Sequence, residues 1–205
     1  IHPTPLAILE NLARRAALRH GYCDHRLLLR RTLKNFSVAM KKEGGDLRAI
    51  AVGEVSRRLV GKCLCEKVKG EALPLLWSHQ IGVARPLGSE IGSRSLRQWM
   101  ERNGSSVEKV AFLADFASVF NTVDRGAFLR AARMHVPSIA PYVEWCYVAP
   151  SHLLFGTKEL DSATGTQQGD PLGQLLFSLA LQPILLKLTS LQGVDESRLD
   201  LAFSY

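Results

Sequence analysis

Three short stretches of this chain hold residue types suited to phosphate chemistry. The first is Ala114-Asp115-Phe116-Ala117-Ser118-Val119-Phe120-Asn121, whose acid closes the apolar run Lys109 to Phe116. A carboxylate at the end of a buried strand is costly unless it is paired or holds a cation. Mg2+ takes hard oxygen ligands, using one or two protein carboxylates plus substrate phosphates. Asp115 suits that role; the alternative is that it leaves the strand and caps the next turn. The second stretch runs from Gly165 through Thr166, Gln167, Gln168, Gly169, Asp170, Pro171 and Leu172 to Gly173. Glycines let a backbone approach another chain or a base closely, and the Gln168 amide both donates and accepts. Taken alone, it reads as an ordinary loop followed by a well-capped helix. The third is Leu47-Arg48-Ala49-Ile50-Ala51-Val52, followed by Arg57 and Arg58. A guanidinium holds phosphate bidentately; in isolation these are surface arginines.

Charge divides the chain. The formal net charge is +7, and residues 1–70 carry 15 Lys and Arg against 6 Asp and Glu, while residues 71–205 carry 11 against 13. A basic lobe beside a slightly acidic one suits a polyanion on the first and metal carboxylates on the second; a solvated basic surface explains the charge equally well. The cysteines Cys23, Cys63, Cys65 and Cys146 fit no zinc spacing, so reduced thiols in an intracellular protein are expected. The most apolar stretch, Leu175 to Leu188, is interrupted by Gln182, Pro183 and Lys187. It is too short and too broken for a membrane span, and no membrane partner is expected.

The elements that must position these residues follow from periodicity. Helical spacing predicts helices over Leu6–Arg19, Arg26–Lys42, Glu54–Lys69, Gly88–Arg102, Arg125–His135 and Ile139–Val148. Asp124 is placed as the N-cap of the fifth. Leu47–Val52, Gln80–Ala84 and Lys109–Phe116 are strand candidates, and His152–Phe155 with Lys158–Asp161 reads as a hairpin. Asp170-Pro171 then opens a helix to about Leu191, and Leu199–Tyr205 is a last apolar strand. Helices and strands mix without regular βαβ alternation, which predicts an α+β fold.

In this order, the stretches resemble the reverse transcriptases, particularly those of non-long-terminal-repeat retrotransposons. LRAIAVGEVSRRLVGK is similar to the fingers segment R-P-I-x-(V/L), with Ala49 in place of the proline. KVAFLADFASVFNTVDR resembles palm motif A, D-x-x-x-A-F-(N/D)-x-V-x-R. Asp115, Phe120, Asn121, Val123 and Arg125 fit, and Val119 stands where alanine is usual. GTQQGDPLGQLLFSLAL resembles motif B with its Q-G-D-P-L, and LAFSY resembles the lead-in to motif C. The resemblance covers residues 45 to 205, and ordered motifs are more specific than any single one.

The resemblance implies a right-handed polymerase: fingers and palm, a small antiparallel palm sheet packed on helices, and no thumb. Residues 1–45 would be an N-terminal helical extension, 46–106 a fingers-like segment and 107–205 a palm-like segment. Asp115 would be the catalytic Mg2+ ligand, helped by the Phe116 carbonyl. Phe120 would be the steric gate against a ribose 2′-hydroxyl. Arg48 would contact incoming nucleotide or template, with Gln168 and Gly169 lining the nucleotide pocket and Arg57, Arg58 and Lys62 on the nucleic-acid backbone. The implied partners are an RNA template, a DNA primer and deoxynucleotide triphosphates, and the implied cofactor is a pair of Mg2+ ions. The motif C aspartates are expected just past Tyr205, so this chain by itself is expected not to polymerise. A nucleic-acid-binding remnant of a retrotransposon, catalytically dead, is the other reading, and an unrelated α+β interaction protein a third.

Overall fold

The computed structural model describes residues 35–41, 47–52, 55–77, 79–109, 111, 116, 118–155 and 157–189, the first two segments by their backbone pairing. In chain order the elements are β1 (Asn35–Lys41), β2 (Leu47–Val52), α1 (Val55–Leu76), α2 (Gly88–Asn103), the single turn α3 (Val119–Thr122), α4 (Arg125–His135), α5 (Ala140–Tyr147), β3 (Ser151–Phe155), β4 (Lys158–Ser162) and α6 (Gly173–Thr189). Helices and strands are mixed, as an α+β chain requires.

The sheet has the order β2-β1-β3-β4. β1 pairs antiparallel with β2, from Phe36 opposite Val52 to Lys41 opposite Leu47. β3 pairs antiparallel with β4, from Ser151 opposite Ser162 to Phe155 opposite Lys158. A short parallel contact, Asn35 and Phe36 against Leu153 and Leu154, joins the two hairpins. Strands from all three expected segments therefore meet in one sheet.

β1 corrects the expectation of a helix over Arg26–Lys42, most of which lies outside the described residues. Phe36, Val38 and Met40 alternate with Ser37 and Ala39. That period of two, with an aromatic and a β-branched residue, suits a ladder better than a helix face. The strand expected at Gln80–Ala84 is also absent: Gln80 makes a single bridge and Gly82–Arg85 form bends. Side-chain anchoring of Gln80 into the helical layer, described below, holds this segment.

The core is helical. α1 contributes Leu64, Val68, Ala72 and Leu76, a strict four-residue row, and α4 contributes Phe128, Leu129 and Ala132. Tyr142, Val143, Cys146 and Tyr147 come from α5, Leu172 from the turn before α6, and Leu175, Leu176 and Leu179 from α6 itself. Burying each such side chain contributes about 1.5–3 kcal/mol before chain entropy is subtracted. Phe128 meets Tyr147 edge to face, with centroids 5.3 Å apart, the geometry that aromatic quadrupoles favour. α1 runs seven residues beyond its expected end at Lys69, through Pro74, because its apolar row continues to Leu76.

Local signals set the helix starts. Both carboxylate oxygens of Asp124 accept from Gly126 and Ala127 N–H, so the expected N-cap of α4 is present. α6 begins two residues later than Pro171. Asp170 instead folds back, its Oδ1 accepting from Leu172 N–H at 2.9 Å and its carbonyl from Gly173 N–H. Leu6–Arg19 and Leu199–Tyr205 lie outside the described residues.

Candidate functional site

Two segments far apart in sequence are docked against each other. After Ser118, held at φ 51, α3 carries Phe120 and Asn121. The carbonyls of this turn face the glycine-rich loop. Thr166 N–H and Oγ1 both donate to Phe120 O, at 2.6 and 3.2 Å. Thr164 Oγ1 donates to Asn121 O at 3.0 Å, and Gly165 N–H to Val123 O at 3.1 Å. Gly165 adopts φ +66, and a Cβ there would overlap the Asn121 carbonyl and the Phe120 oxygen. Only glycine serves at that contact.

The Phe120 ring packs on Phe177 of α6, with centroids 5.3 Å apart. Together with Gln80, Gly82, Val83, Gln174 and Ser178 these rings line a depression of about 10 Å3, the room of a single water. Gln80 is buried at 1% exposure, and its amide donates to Ser178 O and to Gln182 Oε1, both at 2.7 Å. Gln182 in turn donates to Leu75 O at 2.8 Å, and Gln174 to Gly82 O at 3.1 Å. This amide chain fixes the floor of the depression between α1 and α6.

Behind the loop lies a buried polar junction. Arg57 donates to Asp170 Oδ2 at 3.1 Å, with side chains 6% and 5% exposed. The Tyr147 hydroxyl donates to the same oxygen at 2.6 Å and accepts from Gln167 N–H at 3.3 Å. The Asp170 carboxylate thus has a guanidinium, a phenol and the Leu172 amide, which is how a buried charge becomes tolerable. Tyr142 adds a bond from its hydroxyl to Arg57 O at 3.0 Å. Burial alone would lower the Arg57 pKa, but Cys146, Asp170, Tyr147 and Tyr142 outweigh it and hold the guanidinium above its ordinary value. Burial raises the Tyr147 phenol well above its usual range, and Asp170 adds to that. The Cys146 thiol, enclosed here, is pushed up to about 12, chiefly by burial.

Arg125, at the start of α4, is a second buried guanidinium, and its partners are neutral. It donates to Gly165 O and Ser162 Oγ at 3.0 Å, and to Thr164 O, Ala149 O and Tyr147 O at 3.3 to 3.5 Å. Its pKa is lowered, first by burial and further by repulsion from Arg57, while Tyr147 opposes. The Tyr147 ring lies within cation–π reach of both arginines, 5.4 Å from Arg57 and 5.3 Å from Arg125. Gln167 completes the brace by donating to Ser151 Oγ at 2.6 Å.

No protein-family model and no curated protein matched the chain.

The sequence-predicted residues fall in different surroundings. Asp115 lies outside the described residues, and so does the Arg48 side chain, whose backbone is in β2 opposite Met40. Lys109, Ala111 and Phe116, the described members of the expected strand, are in neither helix nor strand, and Phe116 is 57% exposed. Phe120, Gln168 and Gly169 share one loop junction: Phe120 is half-buried, Gln168 half-buried, and Gly169 exposed at φ 115. Arg58 and Lys62 are exposed on α1. Arg57 is the correction. It faces inward because it stands seven residues before Leu64, on the helix face that Val68, Ala72 and Leu76 bury. Its charge is spent on Asp170, so it is not a backbone-phosphate contact.

Tyr147 and Gln80 are unmarked in the sequence, and Arg125 is marked there only as a motif-A-like position without a role. For Arg125 a signal existed, since it is the arginine that closes the motif-A-like pattern; for Tyr147 and Gln80 there was none beyond their apolar surroundings. Asp170 is engaged with Arg57, with the Tyr147 hydroxyl and with Leu172 N–H. Among the described residues no group of three His, Cys, Asp or Glu could hold a metal, and no helix is long and apolar enough to cross a membrane.

Proposed function

We propose that this chain is the fingers and palm portion of a reverse transcriptase, an RNA-directed DNA polymerase of the non-long-terminal-repeat type. The observation that carries the reading is the docking of Phe120–Val123 on Thr164–Thr166. These are the end of the motif-A-like stretch and the start of the motif-B-like stretch, more than 40 residues apart. A polymerase needs those stretches adjacent, because one limits the sugar and the other receives the nucleotide. The motif-A-like arginine gives a second support: Arg125 binds the Thr164 and Gly165 carbonyls directly.

In this reading Asp115 and the Phe116 carbonyl would hold Mg2+. When bound, paired Mg2+ ions supply charge stabilisation to the attacking 3′-oxygen and the leaving pyrophosphate. The chain's own residues position the substrate. The Phe120 ring, backed by Phe177, presents a wall that a 2′-hydroxyl would meet. Gln168 and Gly169 offer an amide and an open backbone to the incoming nucleotide. Arg48, Arg58 and Lys62 would hold phosphate, giving salt-dependent and largely sequence-independent attachment to template and primer.

The test is primer extension on an RNA template, with the protein carried on through the codons that follow Tyr205 in its frame. The reading predicts Mg2+-dependent deoxynucleotide incorporation, abolished by Asp115→Ala, and ribonucleotide incorporation gained on Phe120→Val. Incorporation indifferent to Asp115, or a following segment without adjacent aspartates, contradicts it. Salt-dependent nucleic-acid binding without incorporation identifies the remnant instead.

A further inference from the structure

Gln167 and Gln168 are the same residue type one position apart, and the fold uses them differently. Gln167 is buried, and its amide is spent on Ser151 Oγ at 2.6 Å. Gln168 is half-buried, and among the described residues its amide has no hydrogen-bond partner. Both belong to one tight turn. Asp170 N–H bonds Gln167 O at 2.9 Å, which leaves Gln168 and Gly169 at the turn's centre. Gly169 has φ 115, a conformation open to glycine and strained for other residues.

The two ends of this turn are joined a second time, through Tyr147. Its hydroxyl accepts from Gln167 N–H at 3.3 Å and donates to Asp170 Oδ2 at 2.6 Å. Tyr147 closes α5 at 1% exposure, with its ring edge-on to Phe128, so the hydroxyl has little freedom to follow a shifting loop. Burial holds the phenol well above its usual range, so it keeps the proton that it gives to Asp170. Asp170 already has Arg57 and Leu172 N–H, and its charge is compensated without the phenol. What the hydroxyl adds is the tie to Gln167. A phenylalanine would fill the same space against Phe128 and spare the cost of burying a polar group.

We propose that Tyr147 is a positioning residue for the nucleotide pocket: its hydroxyl bridges both ends of the 167–170 turn and so fixes where Gln168 and Gly169 meet the incoming nucleotide. The inference rests on the polymerase reading for what is bound there. It goes beyond that reading by giving a role to a buried tyrosine that stands behind the pocket.

Tyr147→Phe removes the hydroxyl and keeps the ring, and two measurements test the proposal. In the 205-residue chain, amide hydrogen exchange at Gln167 and Asp170 should quicken about tenfold, as in a locally released turn, while Leu176 in α6 keeps its rate. In the protein carried on past Tyr205, single-nucleotide extension on an RNA template should show the deoxynucleotide KM raised about tenfold with kcat within about twofold, the pattern of lost substrate binding. In a Gln168→Ala background the same change should raise KM less than about twofold, because a residue that acts through Gln168 then has nothing left to place. Ser151→Ala frees the Gln167 amide with the Tyr147 hydroxyl in place, and should raise KM in the same direction by a smaller factor. A tyrosine that serves folding alone would lower the urea midpoint and the active fraction, with KM untouched. Unchanged exchange, an unchanged KM in an active parent, or an equal KM factor with and without Gln168 overturns the proposal. A parent without Asp115-dependent incorporation ends the polymerase reading and the nucleotide role together, and the Asp115→Ala control tells that failure apart from the others.

Discussion

Arg57 and Arg58 are neighbours in sequence and opposites in the fold. Arg57 points into the junction of α1, α5 and the 164–170 loop, where it meets Asp170, Tyr147 and, across the Tyr147 ring, Arg125. Arg58 points to solvent in line with Lys62 and Lys69. The inner region satisfies its charges with fixed partners; in the outer one Arg58 and Lys62 are exposed and Lys69 meets Glu66 at the surface. The comparison shows that a basic segment is not a uniform basic surface. Part of its charge is structural, and burial decides which part.

The sharpest way to break the comparison is to remove the inner charge. Arg57→Ala leaves Asp170 buried without its counter-ion, and should cost about 3–5 kcal/mol by urea unfolding. Arg58→Ala should stay within about 0.5 kcal/mol of the parent. Equal effects would erase the distinction. Replacing the pair together with apolar residues of similar volume, Arg57→Met with Asp170→Leu, should recover most of the loss.

Arg125→Lys comes next. Lysine keeps the charge but cannot reach five carbonyl and hydroxyl oxygens with a planar fork. A loss of about 1.5–3 kcal/mol is expected, the range for hydrogen bonds to a charged group. It should be accompanied by faster amide exchange at Gly165 and Thr166. Gly165→Ala attacks the same contact from the backbone side and should cost about 1–3 kcal/mol for the left-handed conformation alone. An unchanged midpoint would mean the loop does not need the close approach to Asn121.

Alkaline pH gives a smaller and more gradual effect. Cys146, pushed to about 12, and Cys65, pushed to about 11, both titrate later in the folded protein than in the unfolded chain, and Tyr147 and Tyr142 are raised as well. A raised folded pKa means the folded state holds its proton more tightly. The stabilisation is complete below the unfolded values near 9 and 10 and is lost as pH rises through the folded ones. Unfolding midpoints should therefore be level to about pH 8.5 and fall from about pH 9 upward. The thiols should divide in the same way. Cys63, which is exposed, should react quickly with a thiol reagent at neutral pH, and the buried Cys146 only on unfolding.

Much of the framework was legible in the chain. The hairpin of β3 and β4, the helices α2, α4 and α5, and the Asp124 cap follow from local patterns, and local patterns suffice where turn chemistry and periodicity agree. What was not legible depends on distant partners. Arg57 finds Asp170 across 113 residues and Gln80 finds Gln182 across 102. A single helical wheel would have placed Arg57 on the buried face, but which carboxylate met it there could not be read from spacing. β1 was misread because the basic residues around it mimic a helix face, while its alternating Phe36, Val38 and Met40 needed β2 as a partner to become decisive. For the candidate site, the glycine-rich loop and Phe120 were found as separate motifs; their contact became visible only through the carbonyls of α3.

The most direct measurement is a double-mutant cycle on Arg57 and Asp170, with Arg57→Ala, Asp170→Ala and both together, read by urea unfolding. The account predicts a coupling energy of about 2–3 kcal/mol, the upper range for residues joined in one buried network. A coupling below about 0.5 kcal/mol, the scatter of independent sites, would mean that Arg57 is not held by Asp170 and that the division between inner and outer cations does not exist.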